Sequence, residues 1–286
     1  MVHVWKQRFL SVFVLLMTVV ITLSSATPAL ASITGNNTFG TAYNMGYWKT
    51  STSDVNILPA GIAEAYFKFT ANAGERVYAK STYNTNYTGM TIEVLNSSGM
   101  QVSYGTTVIN PDSLPFIYAN ANATSNSQTF YIRVSRGSYD GDMYFTVSVL
   151  DRIKSGSGTF SFTGKAVNSG NSGLNPSGVD SSVISMDLTN NTSIPRNAIV
   201  KSVTTSGSQS PSQGNVTHKI MPNQTMVWYT STVSSSSSGS YTINVANGLH
   251  VAKMWSFKYN AKATASSTMS NVKATFNYEY DVTDQF

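Results

Sequence analysis

The sequence predicts an all-β chain, two tandem antiparallel β-sandwich domains of jelly-roll-like character behind a cleaved signal peptide, on three observations. Apolar residues recur at every second position, as in Phe130, Ile132 and Val134 or Met143, Phe145, Val147 and Val149, the period of a strand with one buried face. Clusters of Gly, Asn, Asp and Ser separate these runs, and no window of comparable length repeats its apolar residues at 3.6. Charged residues are only 11% of the 286, far below the usual quarter, so Ser, Thr, Asn and Gly must keep the surface wet.

The chain opens with Lys6 and Arg8, an apolar run from Phe9 to Ile21, and Ala29-Leu30-Ala31 before Ser32. A basic start, a short apolar middle and an Ala-x-Ala exit predict a secretory signal peptide over residues 1–31, cut after Ala31. The run is shorter than the roughly 20 residues a membrane anchor needs. Removal leaves 255 residues (286 less 31), enough for two domains, and the formal charge falls from +5 to +3 as Lys6 and Arg8 leave. The remaining charge forms no Lys/Arg run, which argues against nucleic-acid and anionic-membrane partners. There is no cysteine, so disulfides, thiolate metal sites and thiol nucleophiles are excluded. An exported protein of this size without disulfides points to a bacterial exoprotein in the extracellular space.

In residues 33–150 the lead-in Asn36 to Tyr43 precedes Glu64 to Lys80, where Ala65, Phe67 and Phe69 share a face. Ala73-Gly74 breaks that run and Val77-Tyr78-Ala79 starts another, which predicts a half-buried antiparallel pair joined by a turn. Met90, Ile92 and Val94 alternate with polar neighbours, and Asn96 to Gly99 makes a hairpin turn into Met100 to Tyr104. Gly137 to Asp142 turns the chain between the last two strands.

Taken in order, NTFGTAY, EAYFKFTANAGERVYAK, TIEVLNSSGMQV and FYIRVSRGSYDGDMYFTVSV resemble the bacterial pre-peptidase C-terminal domain, over about 115 residues. The resemblance implies a small jelly-roll-like sandwich of the kind found beside secreted proteases and other exoenzymes. It also implies an Asp-x-Asp pair just before the aromatic strand, where this chain has Ala63 and Ala65 with Glu64 out of register. A calcium ion of that kind is therefore not expected.

Asp151 to Gly158 reads as a short linker, followed by a second sandwich over residues 159–286 that resembles no family. Strands are expected at Thr159 to Val167, Val183 to Leu188, Ala198 to Thr204, Thr225 to Val233, Tyr241 to Val245, Trp255 to Tyr259 and Val272 to Asp281, seven or eight in all. The last has the cleanest alternation, with Val272, Ala274, Phe276, Tyr278 and Tyr280 on one face. Polar loops are expected at 168–177, 206–213 and 234–239.

Chemistry is sparse. Two histidines follow the leader, His218 and His250, and with Asp180 and Asp187 they form the candidate set for a hydrolase. No Gly-x-Ser-x-Gly elbow or His signature supports one, and His218 alternates with Thr217 and Lys219 as a strand residue. Neither His-x-x-x-His nor Cys pairs are present, so no zinc site is expected, and Asp140-Gly-Asp142 reads as a turn. No cofactor motif is found. Glu279, Asp281 and Asp284 read as a solvated acidic tail. Sugar-stacking platforms are the candidate ligand sites, at Tyr47 and Trp48, with Tyr43 nearby, and at Trp228 and Tyr229. The function expected is a secreted, non-catalytic binding or accessory protein contacting cell-wall polymer, polysaccharide or another exoprotein. A hydrolase without a visible motif and a modulator of a co-secreted protease remain open.

Overall fold

The computed structural model describes residues 32–51, 54–110, 113–231 and 239–286. The expected leader lies outside the described residues, as does most of the loop expected at 234–239. The chain divides between Leu150 and Asp151 into two compact units. Among the described residues the helical elements are three short 3-10 turns, Phe39–Thr41, Trp48–Thr50 and Val282–Gln285; the rest of the regular structure is strand. No helix is long and apolar enough to cross a membrane among these residues.

The first unit comprises β1 (Tyr43–Tyr47), β2 (Val55–Leu58), β3 (Glu64–Ala71), β4 (Arg76–Thr82), β5 (Thr91–Asn96), β6 (Gln101–Tyr104), β7 (Thr106–Val108), β8 (Phe116–Asn122), β9 (Gln128–Ser135) and β10 (Met143–Asp151). Two five-stranded sheets, β1-β3-β9-β5-β6 and β2-β10-β4-β8-β7, enclose one core. β1 runs parallel to β3, whereas β3–β9, β5–β9, β5–β6, β2–β10, β4–β8 and β7–β8 pair antiparallel. Phe67, Phe69, Phe130 and Phe145 are fully buried there, with Phe69 stacked on Phe130 at 5.5 Å.

The pair expected over 64–80 is corrected. β3 pairs with β1 and β9, whereas β4 pairs with β8 and β10, so the two lie in opposite sheets. Both carry an apolar face, and those faces meet across the sandwich: Phe67 and Phe69 from one side, Val77 and Ala79 from the other. The turn is a corner. Glu75 N–H donates to the Asn72 carbonyl at 2.9 Å, and Gly74 takes a positive φ of 83° that a side chain would strain. Period-two alternation reports which face is buried, not which strand is the neighbour. The β5–β6 hairpin forms as expected, with Gly99 at φ +80°.

The second unit comprises β11 (Ile153–Ser161), β12 (Ala166–Asn168), β13 (Val179–Asp180), β14 (Ile184–Asp187), β15 (Ile199–Ser210), β16 (Thr217–Pro222), β17 (Tyr229–Thr230), β18 (Tyr241–Ile243), β19 (Met254–Ala261) and β20 (Ser267–Asp281). One sheet runs β11-β20-β15-β18 with β12 also on β20; the other runs β13-β19-β16-β17 with β14 also on β19. Trp255, Phe257, Tyr259 and Phe276 are fully buried between them.

Several expectations fail in this unit, and the strand expected at Thr225 to Val233 is regular only at Tyr229–Thr230 among the described residues. The linker expected at 151–158 is strand: β11 pairs with β20 from Ile153 opposite Asp281 to Ser161 opposite Lys273. Its glycines make room rather than flexibility. A Cβ on Gly156 would lie 2.5 Å from the Tyr278 ring, and one on Gly158 would lie 2.7 Å from the Phe160 ring. The polar stretch from Ser206 is not a loop either, because β15 continues to Ser210 with its serines outward and Gln209 inward on Ser267 Oγ at 3.0 Å. The acidic C-terminus is not a free tail. Asp281 accepts from Arg152 Nε at 2.6 Å and caps the final turn through Thr283 N–H, while Asp284 accepts from Asn197. The described strands of this unit number ten, because short pairs such as β13 and β17 are too brief to show a period.

Candidate functional site

The outer face of the β13-β19-β16-β17 sheet brings together Asp180, Lys219, Lys258 and Trp228. Alternation in β16 turns His218 and Ile220 inward and Thr217 and Lys219 outward. Lys219 stands directly opposite Lys258 of β19, a like-charge juxtaposition that costs stability unless something neutralises it. Asp180 does so from β13. Its carboxylate accepts from Lys219 Nζ at 2.8 Å, Lys258 Nζ at 2.7 Å and Asn260 Nδ2 at 2.8 Å. Burial alone would raise the Asp180 pKa, but the hydrogen bonds from Lys219, Lys258 and Asn260 hold it down at about 2.

Trp228 completes the group. Lys258 Nζ sits 4.3 Å from its ring centroid, a cation–π contact, and the indole is half-buried. Beside it Met226 and Val227 are 66% and 51% exposed. Tyr229 does not share this surface. It pairs with Ile220 and packs on the inner core, so Trp228 and Tyr229 point to opposite faces and make no joint platform.

The other aromatic candidates serve a carboxylate. Tyr47 Oη donates to Glu75 Oε1 at 2.5 Å, Trp48 Nε1 to Oε2 at 2.8 Å, and Asn72 N–H to Oε2 at 2.7 Å, while Lys49 pairs with Oε1 at 2.9 Å. Burial would raise the Glu75 pKa, but these donors together bring it to about 2. Trp48 is 9% exposed, so its ring faces the core and not solvent. Tyr43 packs edge-on against Phe67. This cluster clamps the β1 end to the β3–β4 corner.

The hydrolase candidates are not brought together. His218 is fully buried, stacked on Tyr241 at 3.7 Å and edge-on to Phe257, with Nδ1 on Thr205 Oγ1 at 2.9 Å. Burial lowers its pKa to about 3, so the ring is neutral at ordinary pH. Asp180 lies on the opposite face of the same sheet. His250 is met through its backbone N–H by Gln224 Oε1, and Asp187 accepts from Thr189 N–H at the surface.

In the first unit a depression of about 570 Å³ opens among residues that include Ala63, Glu64, Arg136 and Asp140. Arg136, 8% exposed, fills the adjoining carbonyl cage. Its guanidinium donates to Ile62 O at 2.6 Å, Gly141 O at 2.8 Å, Tyr139 O at 2.9 Å, Leu58 O at 3.3 Å and to Pro59 O. Glu64 is engaged with Tyr66 Oη and Arg133, and Asp142 accepts from Ala60 N–H. A calcium ion therefore does not fit these residues: the carbonyls already face a cation, and Ala63 and Ala65 offer no carboxylate. Among the described residues no three His, Cys, Asp or Glu converge as metal ligands. Neither Arg136 nor Glu75 stood out in the sequence, since each works through partners distant in the chain.

No family model matches the chain. Among solved structures it is similar to the pre-peptidase C-terminal domain of a Bacillus anthracis collagenase, at 24% identity over 38% of this chain and 93% of that one, with a TM-score of 0.30. A candidate secreted protein from Eubacterium rectale aligns with 85% of this chain and 80% of its own at 9% identity and a TM-score of 0.40. Among curated proteins, the uncharacterized protein YbdN of Bacillus subtilis (strain 168) is 55% identical over 287 residues, covering 100% of both chains. At that identity and coverage, this chain belongs to the YbdN family.

Proposed function

We propose that this chain is an exported, non-catalytic binding protein that contacts a cell-surface polysaccharide, with Trp228 and its charged neighbours as one point of contact. The observation that carries the reading is the half-buried Trp228 ring held beside Asp180, Lys219, Lys258 and Asn260 on an outward sheet face. Aromatic faces stack on the C–H surfaces of sugars, and fixed donors and acceptors alongside can take up their hydroxyls. The leader pattern of residues 6–31, a basic start, a short apolar run and an Ala-x-Ala exit, supports export.

Retention of the mature chain on insoluble cell wall, cellulose, chitin and starch tests it. Retention that Trp228→Ala removes, with the melting temperature unchanged, is the expected result. No retention on any polymer by the wild type overturns the reading.

A further inference from the structure

The outer face of the β11-β20-β15-β18 sheet is dominated by hydroxyl-bearing side chains. Strand register sets its side chains in rows. Thr159, Thr275, Thr204 and Thr242 stand opposite one another across all four strands. The next row is Ser157, Asn277 and Ser202, and on the other side Ser161, Lys273 and Ser206. Adjacent strands are about 4.8 Å apart and alternate residues about 6.7 Å along each strand, so these rows form a two-dimensional grid of hydroxyl groups. The groups are linked laterally: Thr159 Oγ1 lies 2.8 Å from Thr275 Oγ1, and Asn277 Nδ2 donates to Ser202 Oγ at 2.9 Å.

At one end of the grid a depression of about 380 Å³ is lined by Ser155, Gly156, Lys201, Asn277, Tyr278 and Glu279. That volume is at the small end of ligand sites. It holds the mutually paired Lys201 and Glu279, 3.1 Å apart, and the irregularity between Val200 and Ser202 is what brings Lys201 there.

Solubility alone does not account for this arrangement. Two other faces carry hydroxyls only interspersed with charge or aromatics: Ser185, Ser256, Thr217 and Thr230 on the β13-β19-β16-β17 face lie among Lys219, Lys258 and Asp180, and the first unit's β1–β6 sheet carries the Phe39–Tyr131 stack and the Arg133–Glu93 pair, whereas Thr159, Thr275, Thr204 and Thr242 make an unbroken row here. We propose that the grid and its depression form a contact surface for an uncharged, polyhydroxylated glycan chain, one sugar of which sits between Ser155, Lys201, Asn277 and Glu279. This rests on the polysaccharide reading above and names the face and the ligand class. A hydroxyl both donates and accepts, as every sugar hydroxyl does. A polyanion would need a basic patch, whereas the charges here are Lys273 and a self-neutralised pair. A protein partner would need buried aromatic or apolar anchors, which these rows do not offer.

The test compares wild type, Thr204→Lys/Thr275→Lys, Asn277→Ala and Trp228→Ala for retention on cellulose, chitin, starch and sacculi stripped of anionic polymers, at low and high salt. Melting temperatures are matched first to show that all four fold. The proposal expects wild-type retention that salt leaves unchanged, and a fall of about tenfold or more in the double lysine variant as many weak contacts are lost together. Asn277→Ala falls several-fold. If wild type is retained, Trp228→Ala is not, and the grid variants bind as wild type, this surface is overturned while the polysaccharide reading stands. If wild type binds nothing, both fall. Retention that high salt abolishes marks a charged polymer and also overturns the proposal.

Discussion

Arg136→Met keeps most of the aliphatic stem and removes the fork that joins two loops of the first unit. Five backbone carbonyls, from Leu58, Pro59, Ile62, Tyr139 and Gly141, accept from that one guanidinium. A hydrogen bond to a charged group contributes about 1.5–3 kcal/mol. The five are carried by one group and do not add, and carbonyls facing the adjoining depression regain water when the fork is gone. A loss of about 3–5 kcal/mol is therefore expected, as for breaking a buried charged network. At roughly 4 °C per kcal/mol, between the values for smaller and larger domains, the first unit's midpoint should drop by on the order of 12–20 °C. Calorimetry and urea titration of the full mature chain read it, with the transition of the second unit unmoved. Arg136→Lys, which keeps the charge but has three donors at most, should fall between wild type and Arg136→Met. A loss below about 1 kcal/mol in Arg136→Met would show that water replaces the fork at little cost and refute the clamp.

Other consequences can be measured on the same preparation. Glu75→Gln should lower the first unit's stability by about 1–3 kcal/mol, since an ionised acceptor of four donors becomes neutral. Because the folded pKa of Glu75 is depressed to about 2, its contribution is complete above the unfolded value of about 4.3 and disappears as pH falls through about 2; a flat acid profile in wild type would contradict this. His218 is held neutral to about pH 3 in the fold, whereas in the unfolded chain it takes up a proton near 6.5. Its neutral burial thus favours folding above about pH 6.5 and progressively less as pH falls toward 3, and His218→Phe should flatten that slope in the second unit. Calcium or a chelator should leave the first unit's midpoint unchanged, and a rise of several degrees with calcium would reveal ligands that Arg136 does not block.

The alternation of Ala65, Phe67 and Phe69, of Phe130, Ile132 and Val134, and of Val272 to Tyr278 was enough to identify strands and their buried sides, because burial imposes period two directly. The partner of each strand was not legible. β3 and β4 are separated by a four-residue turn with a glycine, which suits a hairpin and a sheet-crossing corner equally; only the burial of both faces against each other decides. β11 escaped because its inward positions are Gly156 and Gly158, which look like a flexible tether until Tyr278 and Phe160 are seen to fill the space above them. Of the site, Trp228 was visible as one of two adjacent aromatics, Trp228 and Tyr229. Its setting was not, since Asp180, Lys219 and Lys258 are far apart in sequence and meet only through register.

A chain with so few charges spends many of them inside its own architecture. Glu75 gathers Tyr47, Trp48, Lys49 and Asn72, Asp281 holds Arg152, Arg136 serves carbonyls, and Arg133 spans Glu64 and Glu93. Each such group is oriented by packing and is costly to redirect toward a ligand. On the hydroxyl grid, recognition rests instead on groups with spare hydrogen-bonding capacity. A hydroxyl bonded to one neighbour still has a lone pair or a proton to offer, so the laterally linked Thr159 and Thr275 keep capacity that the saturated Glu75 carboxylate has lost. The same economy makes an uncharged ligand the natural match for the hydroxyl grid: it asks for many weak, two-way contacts and for no charge that the fold has not already committed.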